Sequence, residues 1–386
     1  MMILAPLLLA LSAAAAPPRI AVDDSDLSEP GVSIQAAREL PLEGRRDGRA
    51  LVFRLIQKNT TTTTTKTAGF VTGRTIPGAS VRLSGAGAPE TSTPVKDDGT
   101  FAISADGLSG TFTVRLSLDN PLWRMRSKSG DSYEWESPVL QLTGSGADAG
   151  TLSPEPGSAN AKLAVLHATY LGARDFLARE GDLDWWTKTL EIRWPGEADF
   201  FSPWDYSLEI TNPAAWDVVL HELGHAVMDG AMRAEHAGGS HKIDECYSPA
   251  LAWSEGWATF FAAAVRLRRD DEDAKFEFLV PRRAPIRIEN VPADVCQGQA
   301  SEWRVAAGFW DLLDTHDDGG DHFSMPFSAL WAPLRGQRMG SAADAWTLIA
   351  ARLNPAERRA GEDALIHNTL LPARALPSAP SSLPAF

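Results

Sequence analysis

Apolar and polar residues alternate in short runs along the first third of the chain. Residues 79–83 and 111–116 place apolar side chains at every second position, and residues 50–56 form a further β-like run. Turn-forming residues separate the runs, as in Asp97-Asp98-Gly99-Thr100. Short strands with this spacing are typical of an antiparallel sandwich. The pattern therefore predicts an all-β sandwich accessory domain over residues 17–145.

A helical pattern replaces this alternation after residue 160. Residues 161–179 carry apolar side chains at the spacing of an amphipathic helix. Residues 189–194 and 205–210 again alternate like strands. We therefore expect an α+β domain, mostly helical, over residues 159–374.

Helix boundary signals frame the centre of this domain. Thr211-Asn212-Pro213 predicts the start of one helix, Gly230 its end, and Pro249 the start of the next. The chain is thus predicted to be multidomain. Residues 146–158, rich in Gly, Ser and Pro, are predicted as a linker, and residues 375–386 as a flexible tail.

The beginning of the chain has the composition of an export signal. Residues 3–16 are apolar, too few to span a bilayer comfortably, and Ala14-Ala15-Ala16 offers an A-x-A cleavage site. The segment before them carries no Lys or Arg, which departs from the usual pattern. We expect residues 1–16 to be a signal peptide and the protein to be periplasmic, bound at the cell surface or extracellular.

Composition is that of an ordinary globular protein. Hydrophobic residues make up 44% and charged residues 22%, unlike disordered or membrane-spanning chains. The net charge is −14 and no Lys/Arg-rich run occurs, which argues against nucleic acid as a partner. No membrane span is expected, and the oligomeric state stays open.

Cys246 and Cys296 are the two cysteines of the chain. In an exported protein an isolated pair is more often a disulfide than two free thiols. Two buried free thiols are the alternative.

An H-E-x-x-H motif lies in a predicted helix, with His221, Glu222 and His225 as its defining residues. Residues four apart share a helix face, so the two imidazoles can bind one zinc ion. Glu222 can accept a proton from a metal-activated water. Glu255 lies among apolar residues of the next predicted helix, where a lone buried carboxylate is costly. As a third protein ligand it would complete a catalytic zinc site with one open position.

These four residues resemble the pattern of the gluzincin metallopeptidases, the thermolysin and fungalysin-like group. The resemblance covers residues 160–370, and residues 303–314 look like the helix that follows the ligand glutamate in that family. It implies a zincin-type fold with an edge strand that holds substrate, for which residues 200–206 are a candidate. Residues 77–83 and 98–101 resemble the carboxypeptidase-regulatory-like β-sandwiches of secreted bacterial enzymes, which implies no chemistry.

Two features depart from the gluzincin pattern. Some members carry an Asp four residues after the ligand glutamate as a partner for a zinc histidine, whereas this chain has Thr259. The orientation of that histidine must then come from another group. The position of the family's oxyanion-stabilising His or Tyr has no direct match in this chain, and His322 and Tyr247 are the candidates.

Other polar residues have simpler interpretations. His236 and His241 follow the motif helix in a Gly-containing loop and are expected to be exposed or at the rim of the site rather than to be ligands. An acidic cluster later in the chain could bind calcium, although its spacing favours a solvated turn. Its members are Asp314, Asp317, Asp318 and Asp321.

The sequence therefore predicts a secreted zinc-dependent peptidase in which Glu222 is the general base. Its cofactor would be one catalytic zinc ion, with calcium as a second candidate cation, and its substrate a peptide or protein. The alternative is a catalytically silent zinc-containing binding or surface interaction protein, against which the intact Glu222 argues. Cleavage specificity, and whether the N-terminal region is a pro-segment, stay open.

Overall fold

The computed structural model describes residues 69–144, 146–233, 239–279, 285–317 and 322–374. The predicted signal peptide, the run at residues 50–56 and the predicted tail lie outside these residues. Within the described ranges, no helix combines the length and the apolar character needed to cross a membrane.

Short strands form the first part of the described chain. They are β1 (Phe70–Arg74), β2 (Ser80–Gly85), β3 (Thr93–Pro94), β4 (Thr100–Ser104), β5 (Ser109–Ser117), β6 (Trp123–Arg126), β7 (Glu134–Glu136), β8 (Leu140–Thr143) and β9 (Ala147–Thr151). One sheet has the order β4-β1-β9, and a second has the order β3-β2-β5-β7, with β8 also paired to β5. Alternate residues of β2 and β5 are buried, including Val81 and Val114, as the sequence pattern predicts. The stacking of the two sheets as a sandwich stays a prediction.

One strand lies in the segment that the sequence predicts as a linker. β9 pairs in parallel with β1, with Val71 opposite Ala147, and the register shifts further along. Gly150 has a φ of 68° near this irregularity, a conformation that side chains disfavour. Residues 147–151 thus form a strand, because the ladder to β1 provides hydrogen-bond partners for a Gly-containing backbone. The division into accessory and peptidase domains stays a prediction.

A third sheet draws strands from both predicted domains. β10 (Leu190–Arg193), β11 (Phe200–Ser202) and β12 (Ser207–Glu209) join β6 in the order β11-β12-β10-β6. β10 is parallel to both β6 and β12, and β11 is antiparallel at one edge. Leu190 of β10 pairs with Trp123 of β6, whose side chain is fully buried. Backbone hydrogen bonds therefore connect the predicted accessory region to the predicted peptidase region.

The helices follow the first two sheets along the described chain. They are α1 (Ala159–Glu180), α2 (Trp216–Ala231), α3 (Pro249–Arg266), α4 (Glu302–Asp311), α5 (Phe327–Leu334), α6 (Ala342–Ala350) and α7 (Pro355–His367). Of the described residues, 34% are helical and 19% are strand, so the expectation of a mostly helical architecture is wrong. Strands β1–β9 account for most of the strand content, and β10, β11, β12 and the connections separate the helical segments that follow.

The helix that carries the motif begins slightly later than its sequence signal. The side-chain oxygen of Asn212 accepts a hydrogen bond from the backbone N–H of Ala214 and closes a turn before α2. In the first turn of α2, the buried carboxylate of Asp217 accepts hydrogen bonds from a later backbone segment. The donors are the N–H groups of Glu277, Phe278 and Leu279. This contact fixes the start of α2 relative to the chain that follows α3.

Two glycines allow three helices to pack at close range. A Cβ atom on Gly224 of α2 would lie 2.8 Å from the Cα atom of Ala258 in α3. A Cβ atom on Gly256 of α3 would lie 2.5 Å from the Cβ atom of Val305 in α4. Because both distances are too short for real carbon contacts, a larger residue at either position would force the helices apart. α3 therefore lies between α2 and α4, close to both.

A disulfide ties together the segments that precede α3 and α4. Cys246 and Cys296 are bonded, at a sequence separation of 50 residues. The predicted disulfide is confirmed, and the alternative of two free thiols is wrong. The cross-link closes a loop that contains all of α3.

A buried histidine connects α1 to the strands of the first part of the chain. His167 is fully buried, and its Nδ1 accepts a hydrogen bond from the indole N–H of Trp123 at 3.1 Å. Its Nε2 must then carry the proton, which it donates to the carbonyl of Pro77 at 2.9 Å. Burial, opposed by the bond to Pro77, lowers the pKa of His167 from 6.5 to about 4. A neutral imidazole is therefore part of this connection.

Replacement of His167 by Gln tests this connection. Because the folded-state pKa lies below the ordinary value, the stabilisation is complete above pH 6.5 and is lost as the pH falls towards 4. Between neutral pH and about pH 4.5, we expect the wild type to lose roughly 2 kcal/mol more unfolding free energy than His167→Gln. Urea unfolding at both pH values measures the two losses. Equal losses would contradict the assigned role of His167.

Removal of the disulfide should destabilise the fold through the unfolded chain. Replacement of both Cys246 and Cys296 by Ser frees a long loop, and we expect a loss of about 2–4 kcal/mol of unfolding free energy. Urea unfolding without reductant measures this loss. A reductant should weaken the wild type to a similar extent and leave the double variant unchanged. A double variant as stable as the oxidised wild type would contradict the expectation.

Candidate metal centre

The two motif histidines share one face of α2. The ring centroids of His221 and His225 are 4.9 Å apart, as expected for residues separated by about one turn. His221 is 6% exposed, and the side chain of His225 is 16% exposed. Both rings point towards α3, which Gly224 allows to approach closely.

Glu255 of α3 faces both imidazoles. Its Oε2 atom lies 3.1 Å from Nε2 of His221 and 3.0 Å from Nε2 of His225. One ligand atom from each of the three residues lies within 4.8 Å of the other two. The structure thus brings together the three residues that the sequence predicts as metal ligands.

Glu222 lies in a buried and negatively charged environment. It is 8% exposed, and α2 packs against the edge strand β11. Burial, together with the charges of Glu255 and Asp199, raises the pKa of Glu222 to about 7, although His225 opposes the shift. A carboxylate with such a pKa can both accept and donate a proton near neutral pH.

The charges of the protein groups favour an added positive charge between His225 and Glu255. Burial opposes protonation of His225, but the Glu255 carboxylate raises the pKa of His225 to about 9. Burial also opposes ionisation of Glu255, yet His225 and His221 hold its pKa well below the usual range. A divalent cation can supply the same positive charge. The donor set of two imidazoles and one carboxylate is one that zinc prefers.

The outer nitrogen of His221 has partners on both α3 and α4. Nδ1 of His221 lies 3.0 Å from Oγ1 of Thr259, which in turn donates to Oε1 of Glu302 at 3.2 Å. Thr259 is fully buried and Glu302 is 3% exposed. Burial raises the pKa of Glu302, and the charge of His241 opposes this. Thr259 itself therefore contacts the outer nitrogen of His221 and links it to Glu302.

The outer nitrogen of His225 also has a contact on α3, but a longer one. Its Nδ1 atom lies 3.5 Å from the hydroxyl oxygen of Ser254, the neighbour of Glu255. Among the described residues, the two histidines therefore differ, since only His221 is linked through a hydroxyl to a further carboxylate.

His241 lies closer to the centre than the sequence indicates. Its Nε2 atom is 3.4 Å from Oε2 of Glu255 and 3.4 Å from Oε2 of Glu302, with 26% of the side chain exposed. Burial opposes protonation of His241, but Glu302 and Glu255 raise its pKa. It is partly exposed, as a rim residue would be, and does not belong to the group of ligand atoms. No spacing rule could identify this contact, because His241 lies in the irregular connection between α2 and α3. His236 lies outside the described residues.

The two oxyanion candidates have partners of their own. The side chain of His322 is 72% exposed and forms an ion pair with Asp317. The hydroxyl of Tyr247 donates to Glu245 at 3.1 Å, and its ring lies 6.3 Å from that of His241. Neither residue belongs to the group of ligand atoms, and their predicted role stays a prediction.

The structure describes only two of the four residues of the acidic cluster. Asp318 and Asp321 lie outside the described residues, so the calcium hypothesis stays untested. Asp314 is 1% exposed, whereas the side chain of Asp317 is 52% exposed. The interpretation as a solvated turn therefore does not hold for Asp314.

Residues 182–332 match the family model described as the Mycolysin C-terminal domain. The matched range includes α2, α3 and α4, with all the residues of the candidate centre. The match links this part of the chain to thermolysin-like peptidases at a coarse level and supports a peptidase-like domain. A comparison with curated proteins gives no match.

Replacement of Glu255 by Gln tests the ligand group directly. Because an ionised carboxylate is the better zinc ligand, we expect the zinc dissociation constant to rise by more than about 100-fold. Competition with a chromophoric chelator measures it, and circular dichroism checks that the variant folds. Glu245→Gln, which removes an exposed carboxylate from the nearby connection, should bind zinc like the wild type. A folded Glu255→Gln protein with unchanged affinity would contradict the ligand assignment.

Proposed function

We propose that this protein is a secreted zinc-dependent peptidase that hydrolyses peptide bonds with Glu222 as general base. The observation that carries the proposal is the convergence of His221, His225 and Glu255 beside the buried Glu222. The coarse match to the Mycolysin C-terminal domain supports the same class of enzyme.

His221, His225 and Glu255 would hold the zinc ion through Nε2 atoms and one carboxylate oxygen. Their short mutual distances and the excess of buried carboxylates fit a divalent cation. When bound, zinc would supply a Lewis acid that polarises a carbonyl and makes water more acidic.

Glu222 carries the proton transfers. It accepts a proton from the attacking water as the oxygen bonds to the carbonyl carbon of the substrate. It then donates that proton to the nitrogen of the departing amine as the carbon–nitrogen bond breaks. Burial in this site raises the pKa of Glu222 from its ordinary value of 4.5 to about 7.

The substrate would be an extended peptide or protein segment along β11. β11 is an edge strand of the third sheet and lies against α2. An edge strand can pair with an extended peptide through its backbone. Phe200 of β11 and Trp204 in the turn after it are 44% and 97% exposed and offer apolar contact. The sequence predicts residues 200–206 as the candidate for this substrate-holding strand, and β11 lies within them.

Glu222→Gln separates proton transfer from metal binding. We expect near one equivalent of zinc in both the wild type and the variant, because Glu222 is not a ligand. Peptide cleavage should fall by at least about 100-fold, because Gln cannot accept the proton. Metal analysis and hydrolysis of a mixed peptide library measure the two properties.

The remaining outcomes discriminate between the functions. Glu245→Gln serves as the control for loss of a glutamate and should cleave like the wild type. Zinc in the wild type without cleavage would favour the catalytically silent zinc-containing protein. Absence of zinc from the wild type would overturn the proposal.

A further inference from the structure

Glu302 is a buried carboxylate that lies outside the ligand group. It is the first residue of α4 and is 3% exposed. Burial of a charged carboxylate costs several kcal/mol unless other groups compensate for it. Its position therefore needs an explanation beyond packing.

The hydrogen-bond directions along this path depend on Glu302. The Thr259 hydroxyl donates its proton to Oε1 of Glu302. The oxygen of Thr259 is then left to accept, and Nδ1 of His221 must be the donor. With the proton on Nδ1, the lone pair of Nε2 faces Glu255 and the ligand group. The path thus selects the tautomer of His221 that can bind a metal ion.

The second oxygen of Glu302 faces a different group. Oε2 lies 3.4 Å from Nε2 of His241 and makes no hydrogen bond among the described residues. The same nitrogen of His241 lies 3.4 Å from Oε2 of Glu255. Two side chains therefore lie between Glu302 and the ligand group. Thr259 connects Glu302 to His221, and His241 lies between Glu302 and Glu255.

We propose that Thr259 and Glu302 are positioning residues that fix the tautomer and orientation of His221 and thereby raise its affinity for zinc. This inference rests on the proposed function for the identity of the metal. It assigns the two residues one joint role, because the hydroxyl of Thr259 connects the imidazole to the carboxylate.

Four variants test the joint role through zinc affinity. Thr259→Val removes the hydroxyl at nearly constant shape, and Glu302→Gln removes the charge. Each should raise the zinc dissociation constant by about 10- to 100-fold. Thr259→Ser keeps the hydroxyl and should stay close to the wild type. The double variant Thr259→Val/Glu302→Gln should lose less affinity than the product of the two single losses, because both changes act on the path through the Thr259 hydroxyl.

Matched controls separate this role from general destabilisation. Thr169→Val removes a buried hydroxyl that donates to Val165 within α1. Glu289→Gln neutralises a buried carboxylate that accepts from the indole of Trp310. Both should bind zinc like the wild type, whatever they do to the thermal midpoint. Should Thr259→Val fail to fold, the comparison of Glu302→Gln with Glu289→Gln decides.

The outcomes distinguish this inference from the proposed function. Wild-type affinity in folded Thr259→Val and Glu302→Gln would overturn the inference and leave the peptidase proposal intact. Independent, multiplying losses in the double variant would overturn the joint path. Failure of the wild type to bind zinc would overturn both. Zinc binding without peptide cleavage would overturn only the peptidase function.

Discussion

The close approach of α2, α3 and α4 is the constraint on which the candidate centre depends. Gly224 and Gly256 leave no room for a side chain between neighbouring helices. The imidazoles of α2 can therefore reach Glu255, and Thr259 can reach Glu302 of α4. A larger side chain at either glycine would push the helices apart and lengthen these contacts. The disulfide between Cys246 and Cys296 also holds α3 and α4 near each other, because it joins the segments that lead into these two helices.

This packing concentrates negative charge in a volume from which water is largely excluded. Glu222, Glu255 and Glu302 are each at most 8% exposed. Such a cluster is stable only with compensating positive charge, which the neighbouring histidines can provide by protonation or a cation by coordination. The raised pKa of Glu222 and the lowered pKa of Glu255 show that the same environment treats the two carboxylates differently. The difference arises because Glu255 faces two imidazoles.

The contacts that depend on local helix geometry can be predicted from the sequence. The contacts that depend on how distant helices pack cannot. The spacing of His221 and His225 and the unfavourable burial of Glu255 point to the ligand group, since helix geometry and solvation act locally. The contact between Thr259 and Glu302 spans 43 residues and depends on how α3 and α4 pack. His241 approaches through an irregular connection that carries no periodic signal. For the same reason, composition could not identify the pairing of β9 with β1, which a distant strand determines.

The pairing of β6 with β10 bears on how the protein could mature. A protease that cut the chain between β9 and α1 would nick it without releasing a fragment. β6 would remain hydrogen-bonded in the third sheet, and Trp123 would remain buried against His167. Dissociation of the N-terminal strands would strip one edge of the sheet whose other edge is β11. Activation by simple loss of these strands would therefore remove one strand of the sheet that lies beside the candidate centre.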